Sequence, residues 1–436
     1  MLKKFLVSRV SKKNLYIWNT LATALNSGQT FIILFFISQL GNHTDAGVFT
    51  IAYALANLAI MIGRYGVRQY QVSDIEQKYS FFKYFKLRLI SSFFMLIFCL
   101  CYILYRLQVQ QYTPYKAIIV ALICFVRLID VIEDVFHGYF QQHKRLELAA
   151  KIQVIRYTIY MVSYIFIYII TKDLLWSTTI ALMADLIAAV LLNFVACQDF
   201  GLVWKSENNL PLSQLLIDCF PLFLTTFFST YLGNAPRYTI DSMLSDELQA
   251  DFGYIFMPIF VITLGSLFIY QPMIRDYAKV WTNFRFDIMR KMIIKQVAFL
   301  SVLMVIGMIC AFFAGIPILS LVFNAELNEY KYSLLLLLWG GFALALVNFF
   351  TMIITVIRIQ KYAAGGYIVC SILFLVLGSK AVEKAGIIGI SILYAVLMTM
   401  LMIFCVLITI IGIRRGGHME KKNTLMLKGT GSCMLL

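Results

Sequence analysis

The chain has 436 residues, of which 61% are apolar and only 14% charged. Average soluble chains are about 25% charged, and apolar runs of about 20 residues recur here along the whole length, which is the pattern of membrane-spanning helices. The formal net charge of +15 does not point to nucleic acid, because the basic residues sit in short loops between apolar runs, where they would meet anionic lipid.

Residues 1–13 carry Lys3, Lys4, Arg9, Lys12 and Lys13 and no acid. No cleavable signal peptide is expected, since the apolar stretch behind them is long and lacks a small-residue cleavage site. The first span is read over residues 14–40, with a polar stripe of Asn19, Thr23, Asn26 and Thr30 on one helix face. The second, 46–70, is rich in Ala and Gly, which suits close helix packing, and its stripe is Tyr53, Asn57, Arg64, Arg68 and Gln71. These arginines can line a cavity or snorkel to the inner interface.

The third span is 82–105 and the fourth 115–140. The fourth carries Arg127, Asp130, Glu133, Asp134 and His137 within an otherwise apolar run. At about 100° per residue these groups share roughly a third of the circumference, with Leu128, Ile129, Val131, Ile132, Val135 and Phe136 opposite. A charge at the bilayer centre costs at least about 2.5 kcal/mol, so this face must meet water or other helices. The fifth span, 149–171, contains Arg156, and the sixth, 174–197, contains Asp185 and Asn193.

The least apolar stretch of the interior, 198–214, is read as a linker. Six more spans follow at 215–237, 252–274, 293–314, 333–357, 362–379 and 386–412. Weak internal similarity at a spacing of about 206 residues, with Gly47 and its span paralleling Gly253 and its span, supports a repeat. The expected architecture is all-α and membrane-integral. Twelve transmembrane helices form two six-helix bundles around a central cavity: residues 1–205, residues 206–412, and a basic cytoplasmic tail, 413–436. With the N-terminus inside, 27 of the 37 Lys and Arg residues fall in inner segments and six in outer loops. The other four, Arg64, Arg127, Arg156 and Arg237, lie within spans. Both termini are therefore expected in the cytoplasm.

Arginine grips phosphate with a planar, permanently charged fork, so a cavity lined by these residues suits an anionic head group. Arg156 and Arg237 could instead form internal ion pairs with Asp185 and Asp241. Asp130, Glu133 and Asp134 are close enough to share a proton, which would suit coupling to an ion gradient. The alternative is that Arg127 and an arginine from another span neutralise them. Pro211, Pro221, Pro236, Pro258 and Pro272 bracket spans seven and eight, as bending elements or ordinary kinks. No catalytic motif is visible, and the four histidines and nine scattered cysteines show no metal-ligand spacing. No enzyme activity, metal or cofactor is expected.

The twelve-span plan, the basic N-terminus, the polar stripes of the first two spans, GRYGVRQYQVSD at 63–74 and NAPRYTIDSMLSDELQADFGYIFMP at 234–258 resemble the bacterial Wzx-type polysaccharide flippases. These belong to the multidrug/oligosaccharidyl-lipid/polysaccharide exporter superfamily. The resemblance implies alternating access in the bacterial cytoplasmic membrane. The substrate would be an undecaprenyl-diphosphate-linked oligosaccharide, carried to the outer leaflet for surface polysaccharide such as lipopolysaccharide. Membrane lipids, a polysaccharide polymerase and chain-length machinery would be partners. By position, Arg64, Arg68, Arg127 and Arg237, with Asn57, match substrate-binding roles. Two other readings remain: a multidrug cation antiporter of the same fold, which should favour acidic over basic lumen groups, and a membrane-embedded polymerase or ligase. The longest outer loop, 315–332, offers the latter only Glu326 and Glu329.

Overall fold

The computed structural model describes residues 2–74, 78–198, 211–270, 273–357 and 359–431. Every regular element among them is a helix. In chain order they are α1 (Leu2–Val7), α2 (Lys12–Leu40), α3 (His43–Arg64), α4 (Val67–Ser73), α5 (Phe81–Gln108), α6 (Pro114–Gln142), α7 (Leu146–Thr171) and α8 (Leu174–Cys197). There follow α9 (Leu212–Met243), α10 (Asp246–Tyr270), α11 (Ile274–Thr282), α12 (Phe286–Cys310), α13 (Ile316–Phe323), α14 (Lys331–Val356) and α15 (Gln360–Gly431). The last is two helices meeting at Ala385 and Gly386, whose backbone leaves the helical region. A π-turn over Ala311–Gly315 joins α12 to α13 into one long rod. Twelve long helices result, as the spacing of apolar runs predicts. Nine helical stretches among the described residues are long and apolar enough to cross a membrane, and the stretch Tyr362–Arg415 contains two of the twelve. Helix α6 stands outside that set because charge interrupts it. The chain is an all-α integral membrane protein.

Packing groups the chain into two compact units. The first comprises Met1–Gly253 with Val322–Ala325, and the second comprises Tyr254–Leu321 with Glu326–Leu436. Helix α9 packs along α3 and reaches α4 and α5, all within the first unit. Residues 199–210 of the expected linker, 198–214, and Pro272 lie outside the described residues, while 212–214 already belong to α9.

Within the first unit α6 is central, touched by α3, α4, α5, α7 and α8. Its start is fixed locally: the Thr113 hydroxyl accepts from the Lys116 amide at 3.2 Å, and Pro114 occupies the first turn, where no amide hydrogen is needed. The five surrounding helices explain how a span this polar can be buried.

The second span differs from expectation. It is not one helix over 46–70 but breaks after Arg64, where Tyr65 and Gly66 take left-handed φ of 45° and 67°. Glycine adopts this conformation without steric cost. The freed Gly63 carbonyl is taken by Arg88 Nη1 at 3.0 Å and Ser91 Oγ at 2.6 Å, so α5 secures the break. Arg68 and Gln71 therefore stand on the separate helix α4. Pro221 and Pro236 lie inside the continuous α9, and Pro258 lies inside α10.

In the second unit α14 packs chiefly on α15, with α11 and α12 alongside. The expected outer loop, 315–332, is shorter than predicted: α13 fills it to Phe323, leaving 324–327 and a short 3-10 turn over Asn328–Tyr330. The very apolar IPILSLVF continues the rod, and Pro317 falls just after the π-turn, where loss of its amide hydrogen bond is absorbed.

Candidate functional site

The ionisable face of α6 meets arginines from three neighbouring segments. Asp134 receives Arg88 Nη2 from α5 at 2.8 Å and Arg68 Nη1 from α4 at 3.1 Å. Asp130 receives Arg127 Nη1, one turn before it on α6, at 2.8 Å, and also Arg156 from α7. Arg156 reaches Glu133 at 2.6 Å and lies 3.1 Å from Asp185 on α8. Glu133 also accepts from Asn193 at 2.6 Å and has His137 Nε2 at 3.7 Å. Every charged member but Arg68 is at least nine-tenths buried, and Arg88 and Arg156 are among the largest fully buried side chains of the molecule. Charges this deep survive only when paired and hydrogen-bonded.

Five arginines (64, 68, 88, 127 and 156) thus face four carboxylates (130, 133, 134 and 185), and four of the five arginines have a carboxylate within 4 Å. With His137 uncharged, the cluster carries one positive charge in excess. Arg64 is the fifth arginine. It is half-buried at the end of α3, and among the described residues it makes no hydrogen bond or ion pair. It lies within electrostatic reach of Asp134, Arg88, His137 and Tyr157. Asn57, two turns earlier on α3, is likewise half-buried and makes no side-chain hydrogen bond among the described residues. The excess charge therefore shares its helix with an unengaged amide two turns away.

The remaining expected residues fall elsewhere. Arg127 is held against Asp130 and lies over the Tyr53 ring, 5.1 Å from its centroid. Tyr53 in turn shares a 2.7 Å hydroxyl contact with Tyr160. Arg237 on α9 donates to Asn234 at 3.2 Å. Asp241 binds a different set: Lys116 at 2.7 Å, Arg106 at 3.2 Å and the Tyr112 hydroxyl at 2.8 Å. Lys116 also reaches Asp246 at 2.5 Å, so a second charged cluster joins α5 and α6 to the end of α9 and the start of α10. The backbone is close-packed beside it, since a Cβ on Gly47 would strike the Asp246 carbonyl.

Arg88, Arg106 and Lys116 were not among the residues singled out from sequence. Arg88 sits near the start of its span and counts as an inner-loop cation. A helical wheel would have marked it, because Ser91, Ser92, Met95 and Cys99 share its face and all are buried with it.

The fold and these buried charges define a polytopic helical membrane protein. Its architecture is that of solved transporters of the superfamily that the sequence resembles. A multidrug-resistance MATE family transporter of the MOP superfamily, in its inward-facing conformation, aligns at TM-score 0.65 and 12% identity, covering 91% of this chain and 96% of that one. The Vibrio cholerae MATE transporter VcmN in its bent form aligns at TM-score 0.61 and 12% identity, covering 95% and 98%. A MOP superfamily transporter from Pyrococcus furiosus, described as having reversed binding-pocket polarity, aligns at TM-score 0.60 and 14% identity, covering 96% and 97%. No curated protein sequence matches the chain. The family described as Polysaccharide biosynthesis protein matches residues 13–277, and the chain belongs to it.

Proposed function

We propose that the protein is a flippase. It turns a polyprenyl-diphosphate-linked oligosaccharide from the inner to the outer leaflet of the bacterial cytoplasmic membrane, with both termini in the cytoplasm, for surface polysaccharide synthesis. The carrying observation is Arg64, which among the described residues makes no ion pair, in a cluster whose other four arginines, Arg68, Arg88, Arg127 and Arg156, each have a carboxylate partner. Membership of a polysaccharide biosynthesis family supports the sugar cargo, and the transporter fold supports movement over catalysis.

In this reading Arg64 grips the diphosphate, with Asn57 two turns away on the same helix and Arg68 able to swing from Asp134, since Arg68 is the most exposed of the paired arginines. Arg127 acts from the wall, and Arg237 contacts cargo from α9. An excess of positive charge opposes a cationic cargo, which argues against drug-cation antiport. Of the three acids expected to take a coupling ion, Glu133 keeps that proposal best. It has one arginine partner where Asp130 and Asp134 have two each. It also lines a cavity of about 410 Å³ between α6 and α8.

The test is the leaflet location of the lipid-linked sugar in cells lacking the protein, read with a reagent that reacts only from outside. Accumulation confined to the inner leaflet, relieved by the wild-type chain and by Arg64→Lys in part but not by Arg64→Ala, is the expected result. Normal outward exposure in the deletion strain would sink the flippase reading. Full relief by Arg64→Ala would sink the diphosphate role of Arg64 alone.

A further inference from the structure

The second unit holds a cavity of about 640 Å³ that the transport reading does not use. It is lined by Arg290, Ile294 and Val297 of α12, Phe350 of α14, and Ile410 and Arg414 near the end of the membrane-crossing part of α15. Arg290 lies in the second turn of α12, within the basic segment 275–292, and Arg414 opens the basic stretch that follows the last apolar run. Both cations therefore stand at the same rim, and the slot runs from them between apolar walls. From Arg290 to Ala298 it spans eight helical steps, about 12 Å, against roughly 15 Å for one hydrocarbon leaflet. The one hydroxyl in the wall, Thr409, is already spent on the Cys405 carbonyl at 2.8 Å. Both arginines are exposed, and among the described residues neither makes a hydrogen bond or ion pair.

We propose that this slot binds an anionic phospholipid, its phosphate clamped by Arg290 and Arg414 and one acyl chain lying along Val297, Phe350 and Ile410. A guanidinium pair matches a phosphodiester, and a cation rim above a leaflet-deep apolar slot matches a lipid and no soluble anion. The slot belongs to the second unit alone. The proposal therefore stands whatever the first unit transports.

The experiment is native mass spectrometry of the full detergent-purified chain titrated with dioleoyl phosphatidylglycerol or dioleoyl phosphatidylcholine. The wild type should retain the anionic lipid with a preference of up to roughly 30-fold for two surface arginines. Arg290→Ala with Arg414→Ala should abolish that preference. Val297→Trp, which fills the slot and keeps both cations, should lower retention of both lipids. Arg285→Ala with Lys291→Ala removes the same charge outside the slot and should leave the preference intact. Equal retention of the two lipids by the wild type would overturn the proposal. So would an unchanged preference in the double slot variant, or an equal loss in the control variant. Displacement of bound phosphatidylglycerol by a polyprenyl diphosphate would also overturn it and hand the slot to the cargo.

Discussion

The two units of this protein have interiors of different chemistry. The first buries Arg88, Arg127, Asp130, Glu133, Asp134, Arg156 and Asp185 at the centre of its bundle, and Arg106, Lys116 and Asp241 near one end. Among the described residues of the second, the buried polar side chains are all neutral: Ser266, Gln296, Ser333, Ser371, Ser391 and Thr409. Most of those hydroxyls bond back to their own helix, as Ser371 does to Tyr367 and Ser391 to Ile387, each at 2.7 Å. One unit is held by packing with local hydrogen bonds, the other by packing plus a network of mutually dependent charges. A buried charge is retained at a cost that packing alone would avoid, which is why the first unit is where cargo recognition is sought.

That contrast is broken or sharpened most strongly at Arg156. Arg156→Ala would leave Asp130 with one arginine and strip Glu133 and Asp185 of their only arginine. Leaving buried charge uncompensated costs about 3–5 kcal/mol, so little folded protein should be recovered, as read by thermal unfolding in detergent and by membrane abundance. Arg414→Ala in the second unit removes the same charge from an exposed position and should leave unfolding unchanged within about 0.5 kcal/mol. If the two variants unfold alike, the charged interior does not hold the first unit together.

The next largest effect is expected at Asp241, which receives Lys116, Arg106 and Tyr112. Asp241→Asn keeps the shape but removes the charge, while Lys116 retains Asp246. The expected loss is about 1–3 kcal/mol, smaller than at Arg156 because the cations keep other partners. An unfolding midpoint equal to wild type would mean that this end cluster is not structural. Smaller again is Tyr160→Phe, which removes one 2.7 Å hydroxyl contact with Tyr53 and should lower stability by about 1 kcal/mol. A loss as large as that at Arg156 would place the tyrosine pair inside the charge network.

Much of this was legible in the sequence, and the limits have physical causes. Twelve helices follow from the repeat of apolar runs, since the bilayer sets their length. The ionisable face of α6 follows from angular spacing alone. A helical wheel states which residues share a face but not which helix opposes it. The pairing of Arg156 with Asp130 and Glu133 as well as Asp185 therefore had to come from tertiary structure. So did the assignment of Asp241 to Lys116 and Arg106 rather than Arg237. The break at Tyr65–Gly66 was hidden because the helical spacing of the polar stripe, Arg64, Arg68 and Gln71, continues through it. Only the left-handed backbone and the grip of Arg88 on the Gly63 carbonyl reveal it. That break matters to the site, since it separates Arg64 from Arg68 and lets one stay unpaired while the other meets Asp134.

The smallest effect on folding is expected at Arg64, and it is the most discriminating. Its charge has no counter-ion to lose, and it lies near Arg88 and Arg68, so Arg64→Ala removes repulsion as much as attraction. Stability should stay within about 0.5 kcal/mol of wild type while outward exposure of the lipid-linked sugar collapses. Arg64→Lys keeps the charge but loses the planar fork, so it should recover part of the activity. A variant that unfolds like Arg156→Ala would make Arg64 one more strut of the network, and the cluster would then have no unpaired arginine for cargo. A variant that is stable and fully active would leave the excess charge without a transport role. Only stability with lost export fits a cluster in which four arginines are paired with carboxylates and the fifth is kept for cargo.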